Sequence, residues 1–215
     1  TSIYHIANSM ADRLEYLNLQ RCTTITDQGF QYWVYKRFPN LHTLVLSECT
    51  FLTQIAILAI TFAALKLRVL DLSFCCALDD SCLDILRFGC PSLERLSLAF
   101  CGNAVSDNLL LSLLLLLTKL KKLVIKGCIR VTRAGVDILL SGCCPLEYLD
   151  ISQCKYAHVY PGGIEAVKLP IKKGTRSSFI NTSAEKGIVE IVLCLALLIT
   201  KKKRKKTTKK TQTNI

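Results

Sequence analysis

Apolar residues in the first part of this chain follow a spacing that is neither purely helical nor purely extended. In Leu14-Glu-Tyr-Leu17-Asn-Leu19-Gln-Arg-Cys22 the alternation places Leu17 and Leu19 on one face of a short strand and Asn18 and Gln20 on the other. After the cysteine come an apolar residue and a Ser, Thr or Asp, as in Ile25-Thr26, Leu52-Thr53, Leu78-Asp79, Val105-Ser106 and Val131-Thr132. Each of those polar side chains offers an oxygen to the free N–H groups of a helix start, which predicts a ladder of helix N-caps. Apolar residues then recur at helical spacing, as at Leu83, Leu86 and Cys90 or Val136, Leu139, Leu140 and Cys143. Proline in Phe38-Pro39, Cys90-Pro91 and Cys144-Pro145 stops three of these helices and directs the chain into the next strand.

The same line of residues begins again at Leu41, Leu67, Leu93, Leu120 and Leu146 and ends at Cys49, Cys75, Cys101, Cys128 and Cys154, at intervals of 27, 26, 26, 27 and 26 residues. Self-similarity at this period defines a leucine-rich-repeat solenoid, in which each coil adds one strand to a parallel, concave sheet backed by outer helices. The expected fold is therefore α/β. Residues 1–13, with Ile3, Ile6, Ala7 and Met10, read as the helix of a preceding repeat, so further chain is expected upstream of Thr1. Residues 14–154 carry six strands. Residues 155–187 read as an extended cap and a flexible stretch, broken at Tyr160-Pro161-Gly162-Gly163, and residues 188–215 as a short apolar run joined to a basic tail. The leucine run from Leu109 to Leu117 occupies a helix position of its repeat and is far short of the ~20 residues that span a bilayer.

Charge sharpens this division. The chain has a formal net charge of +12, but residues 1–154 hold 14 Lys+Arg against 13 Asp+Glu, a net of +1, and the last 61 residues hold 14 against 3, a net of +11. Lys201-Lys-Lys-Arg-Lys-Lys206 suits nuclear import, loose phosphate binding or, beside the apolar run, an anionic membrane surface. Twelve cysteines suggest a disulfide framework only in a short secreted chain, and six of these occupy one repeated position. They read as free thiols of a reducing compartment, cytoplasm or nucleus. Cys75-Cys76, Cys82, Cys90 and Cys143-Cys144 lack a C-x-x-C pair, so no metal is expected. His5, His42 and His158 are scattered, and Gly162-Gly163 is not followed by a phosphate-loop lysine. The expectation is a protein that is not an enzyme and takes neither cofactor nor small-molecule substrate.

The concave columns then carry the chemistry. One reads Tyr16, Thr43, Val69, Arg95, Lys122, Tyr148, the next Asn18, Val45, Asp71, Ser97, Val124, Asp150, and the third Gln20, Ser47, Ser73, Ala99, Lys126, Ser152. Arg95, Lys122 and Lys126 would gather positive charge for an acidic or phosphorylated protein segment. Tyr16 and Tyr148 would supply aromatic anchors, with Asn18, Asp71 and Asp150 completing the expected binding surface.

The line Leu14 through Ile25-Thr26-Asp27-Gln28-Gly29-Phe30, matched nearly as well by Val131-Thr132-Arg133-Ala134-Gly135-Val136, resembles the cysteine-containing leucine-rich repeats of F-box proteins. Residues 14–154 fit it. Leu52-Thr53-Gln54-Ile55 lacks the Asp and Gly, and Cys101 is followed by one extra residue before Val105. The resemblance implies the substrate-binding part of a Skp/cullin/F-box ubiquitin-ligase adaptor, with a protein substrate on the concave face. Ligase subunits would be partners if an F-box lies upstream. The alternative it implies is a free-standing scaffold that binds and inhibits a signalling protein, like the related mitotic-exit antagonists.

Overall fold

The computed structural model describes residues 2–102, 104–116, 118–141, 146–157 and 167–168, all within the compact unit Thr1–Thr175. The predicted tail 188–215, most of the predicted 155–187 extension, His158, Cys143 and Cys144 lie outside the described residues.

Six strands form where the alternation places them: β1 (Tyr16–Asn18), β2 (Thr43–Val45), β3 (Val69–Asp71), β4 (Arg95–Ser97), β5 (Lys122–Val124) and β6 (Tyr148–Asp150). They pair in parallel and in sequence order, with Tyr16, Thr43, Val69, Arg95, Lys122 and Tyr148 in one register line. A two-residue strand, β7 (Val167–Lys168), reverses direction and pairs antiparallel with β6. The helices are α1 (Ser2–Ser9), α2 (Asp27–Phe30), α3 (Gln54–Ala63), α4 (Ser81–Gly89), α5 (Asp107–Leu116) and α6 (Arg133–Ser141). They stack side by side, α3 on α4, α4 on α5 and α5 on α6. Among the described residues no helix is long and apolar enough to cross a membrane.

Between the two layers lies a leucine core. Leu41, Leu44 and Leu46 are fully buried, and Leu67, Leu70 and Leu72 and Leu93, Leu96 and Leu98 repeat them at the same depth. The first coil differs: Leu14, Leu17, Leu19, Cys22 and Ile25 pack on the core but are only partly buried. Its helix differs too, since α2 makes one turn and passes into a 3₁₀ turn over Gln31–Tyr35. The expected full helix gives way there because Gly29 and the aromatic and β-branched run Tyr32-Trp33-Val34-Tyr35 have poor helix propensity. That turn buries Trp33 against Phe30 and Phe38, with ring centroids 5.1 and 4.2 Å apart.

The regular spacing of the cysteines has a direct structural cause. From the second coil onward the thiol donates to the carbonyl of the last inward aliphatic residue of the preceding coil: Cys49 Sγ to Leu19 O at 3.2 Å, Cys75 to Leu46 O at 3.2 Å and Cys101 to Leu72 O at 3.0 Å. Cys128 and Cys154 continue to Leu98 and Ile125. That carbonyl also accepts the backbone N–H of its own coil's cysteine, so one small, weakly polar side chain satisfies a buried acceptor and ties two coils. All nine described cysteines are free. Desolvation pushes the thiols up, Cys49 to about 11 and Cys101 and Cys128 to about 12, which keeps them protonated, as donors must be.

The residue before each cysteine is left-handed: Arg21, Glu48, Phe74, Phe100, Gly127 and Gln153 all have φ between 57 and 68°. Its N–H still serves the sheet, as Phe74 N donates to Ala99 O and Phe100 N to Lys126 O, while the next N–H turns back to its own strand. Only positive φ meets both demands, and Gly127 alone adopts it without a Cβ to crowd.

The N-cap ladder forms in part. Thr53 Oγ1 accepts from Ile55 N and Thr132 Oγ1 from Ala134 N, both at 3.2 Å. Asp79 accepts from Ser81 N at 3.0 Å, one residue ahead of the helix's own cap, Asp80. Thr26 makes no side-chain cap bond, a correction to the predicted ladder. The neighbouring Asp27 instead reaches into the next coil and accepts from Thr53 N and Thr53 Oγ1 at 2.9 and 2.7 Å. Asp107 holds Thr132 N and Oγ1 in the same way. Room for that carboxylate comes from Gly135, where a Cβ would lie 2.1 Å from Asp107 Oδ1.

Candidate protein-binding face

The predicted columns lie on the open face of the sheet, but the structure divides their members by what they already hold. Asn18 Oδ1 accepts from Gln20 N, Asp71 Oδ1 from Ser73 N and Oγ, and Asp150 Oδ1 from Ser152 N and Oγ, at 2.6 to 2.9 Å. These three side chains shape the exit from their strands, leaving less of their bonding capacity for a visitor. Tyr16 is exposed on β1 and Tyr148 half-buried on β6. They stand at opposite ends of the parallel array, five strand spacings or ~24 Å apart, and so do not form one site.

Arg95 and Lys122 are brought together. They are register partners on β4 and β5, and both are exposed. The Lys122 ammonium lies 4.6 Å from the centroid of the Tyr148 ring, and Lys126 Nζ 5.9 Å from that of Phe100, contacts that fix a cation without neutralising it. Acidic charge stands close by but is engaged elsewhere: Glu94 pairs with Arg68 at 2.7 Å and Lys121 at 3.8 Å. The Arg68 hydrogen bond holds the Glu94 carboxyl below its ordinary range. Arg95, Lys122 and Lys126 make no ion pair with a described residue; Arg95 and Lys122 are exposed and Lys126 half-buried. In the third column Ser47, Ser73 and Ala99 are nearly closed off, at 5, 8 and 8 % exposure, making a floor of small side chains.

Sequence reasoning missed the rim beside this floor. The rings of Phe74 and Phe100 stack with centroids 4.6 Å apart and planes inclined by 19°, and Phe74 is 43 % exposed. The signal was present as a phenylalanine before the cysteine in two consecutive coils, where other coils have Arg, Glu, Gly or Gln.

Among the described residues no group of His, Cys, Asp or Glu has an arrangement able to hold a metal ion. A cleft of about 580 Å3 between α4 and α5 is lined by Asp80, Asp84, Asp107 and Arg130 and contains none of the predicted binding residues. Arg130 and Asp80 form an ion pair across it at 2.9 Å.

Fold and face together define an α/β repeat solenoid with an open, cation-bearing parallel sheet. No family model matches the sequence. A chain in the crystal structure of the Rad7 and Elc1 complex in yeast is similar to it at 26 % identity and a TM-score of 0.53, over 57 % of this chain. The match covers 30 % of that yeast chain.

Proposed function

We propose that this chain is a noncatalytic protein-recognition module, the substrate-binding part of a ubiquitin-ligase adaptor that holds an acidic or phosphorylated segment of its substrate on the concave face. The observation that carries the reading is the juxtaposition of Arg95 and Lys122 on adjacent strands, both exposed and neither in an ion pair with a described residue. A rigid parallel sheet places such charges at fixed spacing, which gives selectivity for a matching partner. The likeness to a chain crystallised in a two-protein complex supports a role in assembly.

The test is affinity capture from cells with the wild-type chain and with Arg95→Glu/Lys122→Glu. The wild type is expected to recover cullin-type ligase subunits together with a substrate, and the double variant to recover the subunits without the substrate. Equal substrate recovery by both would overturn the assignment of the face. Recovery of a signalling protein with no ligase subunits would favour the free-standing scaffold.

A further inference from the structure

We infer that the stacked pair Phe74 and Phe100 is an anchor subsite for an aromatic side chain of the same acidic segment, so that the ligand carries its acidic residues and its aromatic residue about five positions apart. The inference rests on the concave face being the binding face, and adds to it the ligand's apolar element and spacing.

Three observations point to this rim. First, two bulky residues occupy left-handed backbone, at φ 60 and 57°, where large side chains are uncommon and glycine or asparagine costs less. The coil itself does not require an aromatic there, because Gly127 fills the same position one coil later. Second, the pair is fixed before any ligand arrives. Phe100 stacks on Phe74 on one side and covers the bare Cα of Gly127 on the other, where an added Cβ would meet the ring at 2.5 Å. Preorganised rings cost little conformational freedom on binding. Third, the surroundings select the occupant. Ser73 and Ala99 make a low floor beside the rings, and Lys126 stands over the edge of Phe100. Arg95 and Lys122 lie at the start of their strands, and Arg95 and Phe100 are five residues apart along one chain, at most ~16 Å even if that stretch were fully extended. An extended ligand running along the strands would set carboxylates on Arg95 and Lys122, pass Lys126 over the small-residue floor, and lay an aromatic ring against Phe74. A purely apolar partner would leave three cations desolvated and unpaired, which charge complementarity disfavours.

The experiment measures fluorescence anisotropy of a labelled peptide Glu-Asp-Ser-Gly-Ser-Gly-Trp, and of its reversed sequence, against the 215-residue protein. For the tighter of the two, replacing the tryptophan with glycine is expected to weaken binding by about tenfold or more, as loss of a central aromatic anchor does. Phe74→Asn is expected to weaken the tryptophan peptide equally and leave the glycine peptide unchanged. Asparagine tolerates left-handed backbone, so this variant keeps the fold, with circular dichroism as the check, and Phe100→Asn provides a second case. Equal affinity for both peptides, or an equal loss of both in Phe74→Asn, overturns the anchor while leaving the cationic face standing. If Arg95→Glu/Lys122→Glu changes neither peptide's affinity while the tryptophan dependence persists, the anchor stands and the acidic-partner reading falls. No binding of any peptide at millimolar concentration overturns both.

Discussion

At the residue scale the most informative side chain is the repeated cysteine. Its thiol is small enough for the turn, and it donates where serine, more strongly hydrated, would cost more to bury. Cys101→Ala removes the bond to the Leu72 carbonyl, which keeps its second partner, the backbone N–H of Cys75. The expected loss is about 1–2 kcal/mol, read as a lower denaturant midpoint at unchanged slope. The neighbouring left-handed residue was invisible in the one-dimensional pattern for a definite reason. Glycine announces positive φ, and only one of six coils places glycine there.

At the scale of the element, coils are joined by side chains that reach across the period. Asp107→Ala removes both acceptors of Thr132, with an expected cost of about 2–3 kcal/mol because the bonds are made to a charged group. Gly135→Ala should cost a similar amount by displacing the same carboxylate. The double variant should lose less than the sum of the two, which urea titration of all three proteins would measure. These clamps mark the boundary of what the sequence made legible. The 26- and 27-residue spacing placed β1 to β6, and simple alternation placed Arg95 and Lys122 on one face, since both depend only on backbone period. Whether Asp27 caps its own helix or grips Thr53 depends on tertiary distance, and a strand-position Asp such as Asp71 or Asp150 looks like a ligand until its turn partner is seen. The 3₁₀ passage after α2 was masked in the apolar spacing, where Trp33 matches a helix position, and only the poor helix propensity of Gly29 and Tyr32-Trp33-Val34-Tyr35 signalled it.

At the scale of the molecule, stability accumulates coil by coil. The partly buried first layer should be the weakest, so Leu17→Ala is expected to cost clearly less than Leu96→Ala, for which about 2–5 kcal/mol is usual at a fully buried site. Amide exchange should be faster in β1 than in β3 and β4. The buried cysteines add a collective sensitivity to alkali. Burial raises these thiols from 9.0 to about 11 at Cys49 and about 12 at Cys90, Cys101 and Cys128, so the folded state holds protons that the unfolded chain releases first. Their contribution is complete below pH 9 and is lost as pH climbs from 9 toward 12. Thermal melts at pH 7, 9 and 10.5 should show little change over the first interval and a decline over the second, shallower in Cys101→Ala.

The reversal of β7 against β6 has a consequence for crowding in the cell. A parallel stack whose two ends match is a monomer for a fibre, since the leading edge of one molecule can continue the register of another without limit. One strand laid in the opposite sense presents the wrong hydrogen-bond phase to any incoming parallel edge. At that edge of the described sheet the reversed strand works against self-templating.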